Sequence, residues 1–379
     1  MRETNWGRRR FLAQAAASST LIPGYWACGP DARPDAPRER WVSAQGDQSG
    51  TFSLVVAGPD GASPFLISSG FRGHDVAAHP MDGALMAMFG RRPGEASFVV
   101  DIRAGRVRHR IDAAVGRRFQ GHGFYSADGA WLYTSEADER TGQGWLGVRE
   151  TSNYRQIGEY ATFGIGPHQV ELMPDEQTAV VANGGILTRP ETGREKLNLA
   201  TMDPSLVYLE LGTGRLLSQH RLPESKASIR HLDVLRDGTV VVGLQLQREA
   251  LDHLRVLPLG AIHRPGGALE YLEDRMGLFG ALEDYVGSVA VSEASRIAVL
   301  TSPRGDLAGF WDVDSGQLVA YHPFADVSGA ATTPRGEYFI LTSSLGEVRR
   351  LDAFDPGTLE RRWRNEDIRW DNHLHVAFA

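Results

Sequence analysis

Cysteine is almost absent: of 379 residues only Cys28 carries a thiol. Everything after it therefore lacks internal disulfides, thiolate metal sites and cysteine nucleophiles. A basic excess is missing too, since 40 Lys and Arg stand against 47 Asp and Glu for a net charge of -7. With the two signs interspersed, there is no stripe to track phosphates and no like-charge tail, so nucleic acid is not an expected partner. No helix follows Gly142-Gln143-Gly144 or Gly184-Gly185 to offer amides to a phosphate. Neither a Gly-x-Ser-x-Gly elbow nor a His-Glu-x-x-His helix occurs. Long apolar runs are few. What abounds is glycine, 43 residues beside 19 Pro and a 42% hydrophobic content, the composition of many short strands joined by tight turns. The expectation is an all-β chain.

Residues 1–28 read as an address. Arg8-Arg9-Arg10-Phe11-Leu12 is a twin-arginine pattern, followed by a mild apolar segment from Ala13 to Ile22 and a break at Pro23-Gly24. The segment is too short and too weak to anchor as a span. A twin-arginine route carries folded proteins, so periplasmic export is expected and a cofactor loaded beforehand is permitted. Cys28 follows the small residue Ala27, as a lipidated cysteine does, but Tyr25 stands where an aliphatic residue is usual. A lipid on Cys28, the one expected membrane link, and an idle cysteine both stay open. Residues 29–40, rich in Pro, Asp and Arg, read as a solvated linker.

From residue 41 a unit recurs: polar loop, short strand, Asp-Gly-like turn, strand, glycine-rich turn, strand. Instances run Arg72–Ile111, Gln120–Glu150, Ile165–Gly185, Ile229–Gln247, Tyr285–His322 and Ser328–Phe354. Matching turns at Met81-Asp82-Gly83, Ala127-Asp128-Gly129, Pro174-Asp175-Glu176, Arg236-Asp237-Gly238 and Pro334-Arg335-Gly336 tolerate positive φ and close hairpins. About 340 residues shared among seven units gives about 48 each, the period of a propeller blade. Residues 41–379 are therefore expected to form a seven-bladed β-propeller whose last blade is closed by both termini, with Thr51–Val56 and Ser63–Ser68 from the front and Asn372–Ala377 from the back. Two insertions, Leu187–Leu199 and Leu251–Tyr271, are expected as loops on one face.

Aligned at the innermost strand, the units place His74, His122, His168, His231, Ser288, Gly329 or Ala330, and His373 in equivalent positions. Such positions face the central channel, so residues 46 to 63 apart in sequence become neighbours. One such histidine would ordinarily bond a neighbouring blade. Five converging imidazoles cannot all be protonated, and as neutral nitrogens they are metal ligands by type. The expected metal site is thus His74, His122, His168, His231 and His373, for iron, copper or zinc, with Asp75 or Glu171 as weaker oxygen ligands or partners of the ligands. His375 shares the face of His373. His79, His109, His220, His253, His263 and His322 fall at turns or outer strands and are expected to be solvated. Arg189, Arg194, Lys196 and Asn198 offer a rim patch for an anion, against the plainer reading of a solvated loop, and Arg304 lies in a turn at the top surface.

Several stretches carry a resemblance: RGHDVA, QGHGFYSADG, GIGPHQVELMPD, VANGGI, KLNLATMDPSL, SIRHLDVLRDGT, DYVGSVAV and TSPRGD. With the twin-arginine start they resemble a bacterial family of exported seven-bladed propellers, WD40-like or YVTN-like, known as a domain of unknown function. That family is often encoded beside imelysin-like, iron-regulated periplasmic proteins and a dihaem-peroxidase-like partner. The resemblance implies a periplasmic propeller with a role in iron or copper handling and those two kinds of partner. It matches the family's histidines to His74, His122, His168 and His231 and carries over no catalytic residue. Three functions compete: a metal-binding propeller for iron or copper, a protein-interaction scaffold with structural histidines, and a metal-dependent oxidoreductase or lyase with an open coordination position.

Overall fold

A strand from the end of the chain, His375–Phe378, pairs antiparallel with Glu39–Gly46 near its start and becomes the innermost strand of a four-stranded sheet completed by Phe52–Ala57 and Phe65–Ser68. This sheet closes a ring of seven, each four-stranded and antiparallel, in the computed structural model. The seven-bladed propeller and its closure by both termini are as the repeat implied. The structure describes residues 38–46, 50–59, 64–193 and 195–379; the twin-arginine segment and Cys28 lie outside them. Among the described residues no helix is long and apolar enough to cross a membrane.

The inner strands of the other six blades, one to six, are Gly73–His79, Arg117–Tyr125, Pro167–Leu172, Ala227–Val234, Ser288–Ser292 and Val327–Thr332. Four of the five signalled turns close with positive φ, at Gly129, Glu176, Gly238 and Gly336, whereas Asp82-Gly83 already belongs to the second strand of its blade and the turn there is Pro80-Met81. Each middle strand is covered on both faces by adjacent blades, so it reads as a continuous apolar run, as in Val240–Leu246. Outer strands alternate instead, as Arg106–Asp112 does. Between blades one and two the packing is aromatic: Phe89, Phe119, Tyr125 and Leu132 are buried together. Each such side chain contributes about 1.5 to 3 kcal/mol on burial.

One insertion was misplaced by the sequence. Leu251–Tyr271 contains two strands of blade four, Gly260–His263 and Leu269–Tyr271. A 13-residue loop before them, 247–259, displaces the third strand from its expected offset. That loop and the 184–204 loop both connect a second strand to a third, so they share the face on which the inner strands begin. Lys196 of one loop and Glu249 of the other form an ion pair.

Blade two contains a charged pair out of solvent. Arg149 Nη1 lies 2.6 Å from Glu136 Oε1, with both side chains at 1% exposure or less. Thr134 and Gln156 add hydrogen bonds, and the guanidinium sits 5.1 Å over the Phe119 ring. Removing one member leaves an uncompensated buried charge, whereas an apolar pair of similar volume does not. Glu136→Ala should destabilise the fold by about 3 to 5 kcal/mol in denaturant titration, and the double change Glu136→Leu with Arg149→Met by clearly less. Equal losses would show that packing, not charge, sets the cost.

Candidate metal centre in the propeller channel

Four of the inner strands are interrupted where their histidines sit. Pairing with the second strand slips between Gly73 and Val76, Phe119 and Gly123, Pro167 and Val170, and Ile229 and His231. A bulge of this kind releases a residue from the ladder and re-aims its side chain. The freed backbone is held from the second strand: Ser135 Oγ donates to His122 O at 3.1 Å. Glycine makes the bulge possible in blade two. Gly121 adopts φ +104°, and a Cβ there would meet His74 Cδ2 at 2.6 Å. His373 arrives separately, two residues before the closing strand.

All five histidines converge and are buried. Ring centroids lie 4.9 Å apart for His74 and His122, 4.5 Å for His122 and His168, 4.9 Å for His168 and His231, and 4.7 Å for His373 with either His74 or His122. Two sets, His74/His122/His168 and His122/His231/His373, each present three ring nitrogens within 4.8 Å of one another. His122 belongs to both. Its Nδ1 lies 2.8 Å from Asp75 Oδ2, so Nδ1 donates to the carboxylate and, in the neutral ring, the lone pair lies on Nε2. That Nε2 has no hydrogen-bond partner, nor do His74 Nδ1, His231 Nδ1 and His373 Nε2.

Burial first, and then neighbouring charge, lower the pKa of His74, His168, His231 and His373 and favour their neutral forms. His74 is pushed far below its usual value by burial, then by His373 and Arg91. Burial followed by Arg230 does the same to His168, and burial followed by His373 to His231. His373 falls to about 4 from burial, although Asp75 opposes the shift. Burial alone would raise Asp75, but His373 and the bond from His122 outweigh it and keep the carboxyl below its ordinary range. Asp75 is thus a partner of a ring nitrogen, one of the two roles that the sequence left open for it. Glu171 instead hydrogen-bonds Gln169 at 3.1 Å and is pushed up to about 8, chiefly by burial and then by Asp75.

The histidines form a waist between two unlike mouths. Below it, a vestibule of about 460 Å3 is lined by Asp75, Glu171, Asp233, His373 and His375, without any Lys or Arg among its described residues. Above it, a funnel of about 400 Å3 is lined by Arg91, Arg92, Lys196, Arg230 and Arg304 beside His74 and His168, without any Asp or Glu among its described residues. Arg304 is at the top, as its turn implied. The other rim residues are employed differently: Arg189 is exposed, Lys196 pairs with Glu249, and Asn198 bonds the backbone of Gly185 and Leu187. Arg194 lies outside the described residues. Arg91 and Arg230 carried no signal at the repeat offset, though Arg230 directly precedes His231.

Three outlying histidines are not solvated as expected. His263 is buried with its Nδ1 2.6 Å from Tyr208 Oη, His220 packs against it at a tilt with ring centroids 4.1 Å apart, and His322 accepts a hydrogen bond from Arg349. A strand that is outer in its own sheet is still covered by the next blade. His79 also bonds out of its turn, to Gly129 O at 3.1 Å.

Residues 68–377 match the model of a family described as a protein of unknown function, DUF1513, and by that extent the chain belongs to the family. No curated protein matches the sequence. Among solved structures the fold is similar to a chain of hydrazine synthase from Kuenenia stuttgartiensis, with TM-score 0.60, 16% identity, 90% of this chain covered and 99% of that one. At that identity the likeness is one of fold.

The carboxyl of Glu171 has a folded value of about 8 against 4.5 ordinarily. Its contribution to stability is complete below 4.5 and is lost as pH rises toward 8, because the folded state must give up a proton it holds tightly. In the metal-free protein, Glu171→Gln should therefore gain in melting temperature over the parent as pH goes from 5 to 9. A difference that stays flat with pH would show that Glu171 is ionised throughout.

Proposed function

We propose that this member of the DUF1513 family is a periplasmic metal-binding propeller, holding iron or copper at its histidine waist for acquisition or delivery to partner proteins. One observation carries the reading: the Asp75–His122 hydrogen bond, which turns a lone pair of a buried ring toward nitrogens that have no partner of their own. A carboxylate behind a histidine is how ligating imidazoles are usually oriented and made more basic. Nitrogen donors without thiolate suit iron, copper or zinc. In the vestibule Asp75 stays ionised, which favours the approach of a cation. Export rests on the twin-arginine segment. Imelysin-like and dihaem-peroxidase-like proteins are the partners that the family resemblance suggests.

The test is elemental analysis of the protein purified from its native compartment, with chelator competition on its variants. About one ion per chain is expected in the parent. His122→Ala breaks both sets and should abolish binding, while His231→Ala spares the His74/His122/His168 set and should retain part of it. Asp75→Asn, which leaves all five rings in place, should weaken binding by about 10- to 100-fold. A folded parent without metal would leave the histidines structural and the propeller a scaffold for docking.

A further inference from the structure

The funnel above the histidines concentrates cations beyond what its own residues neutralise. Arg91 bonds Asp371 at 3.0 and 3.2 Å, and Lys196 pairs with Glu249. Arg230 has no such partner among the described residues: it forms neither a hydrogen bond nor an ion pair, and its Nε is buried. Arg304 sits 4.7 Å over the Tyr285 ring and makes one long contact, 3.5 Å, to a backbone carbonyl. A half-buried guanidinium without a counter-charge is costly, and burial lowers the Arg230 pKa accordingly. Its geometry matches oxyanions, since the fork presents paired donors to two oxygens at once. The bulge at Ile229–His231 aims Arg230 into the cavity that His74 and His168 also line. At about 400 Å3 this space is the size of a small-molecule site.

We propose that the funnel binds a small oxyanion, a carboxylate or a phosphate, gripped by Arg230 with Arg91 and Arg304 beside it and seated against His74 and His168. The inference rests on the metal reading in one respect only: with a metal at the waist, an oxygen of the same anion is placed to become its further ligand. The anion site itself requires no metal.

Calorimetric titration of the metal-free full chain with inorganic phosphate, and separately with citrate, tests it. The parent should bind at least one of them, and the tighter of the two identifies the source. Arg230→Gln should weaken that binding by about tenfold or more, and Arg230→Lys, which keeps the charge but loses the fork, by less. Circular dichroism checks that the variants fold; if Arg230→Gln does not, Arg304→Gln carries the same expectation of weaker binding. Absence of heat with both anions, or equal affinity in parent and Arg230→Gln, would overturn the proposal. Arg230-dependent binding by a parent that holds no metal would leave the anion site standing and remove only the metal reading.

Discussion

Everything at the centre of this propeller depends on the strand pairing that closes the ring. Glu39–Val42 and His375–Phe378 are joined by one short antiparallel ladder, and Trp41 is buried beneath it. A ring left open has two unpaired sheet edges and loses the apolar contact between its first and last blades. It also loses the site. His373 precedes the closing strand by two residues and touches the rings of His74, His122 and His231 only because that strand is held. Fold stability and site geometry are thus one quantity here. Any change that frays the closure must disperse the histidines.

Closure also sets the electrostatics. Inner strands run from one mouth to the other, so residues before each histidine face the funnel and residues after it face the vestibule. Arg230 precedes His231 and Asp233 follows it; Asp75 follows His74. The same side chains stitch the blades together: Asp75 accepts from His122, Gln169 Oε1 from Leu232 N, and Asp233 Oδ2 from Val291 N. Imidazoles whose pKa is lowered, as at His74, His168, His231 and His373, present little barrier of their own to a charged ligand between opposite potentials. They are held in that state by burial far more than by one another.

The repeat was legible because one period produces both turns and channel positions. Asp-Gly signals fixed the hairpins, and counting from them placed five histidines on one axis without knowledge of the strands. What was not legible follows no period. Arg91 and Arg304 lie in loops from a second strand to a third, one and two residues past the strand, and Arg230 lies in a bulge, so the three share no single offset. Two of the four bulges were written as Gly-His pairs, Gly73-His74 and Gly121-His122, a signal that alternation alone passes over. Strands Gly260–His263 and Leu269–Tyr271 were hidden by a long connection, and His263 and His322 by contacts between blades, which local pattern does not encode.

Gly121 shows how a residue with no side chain can govern chemistry it never performs. Its left-handed backbone brings the main chain of blade two against the ring of His74, at a distance no other residue permits. In a saturation scan scored by the packing of the channel, position 121 would be as intolerant as the histidines around it. A reader ranking positions by intolerance would class it with those histidines, and would be measuring the absence of a methyl group.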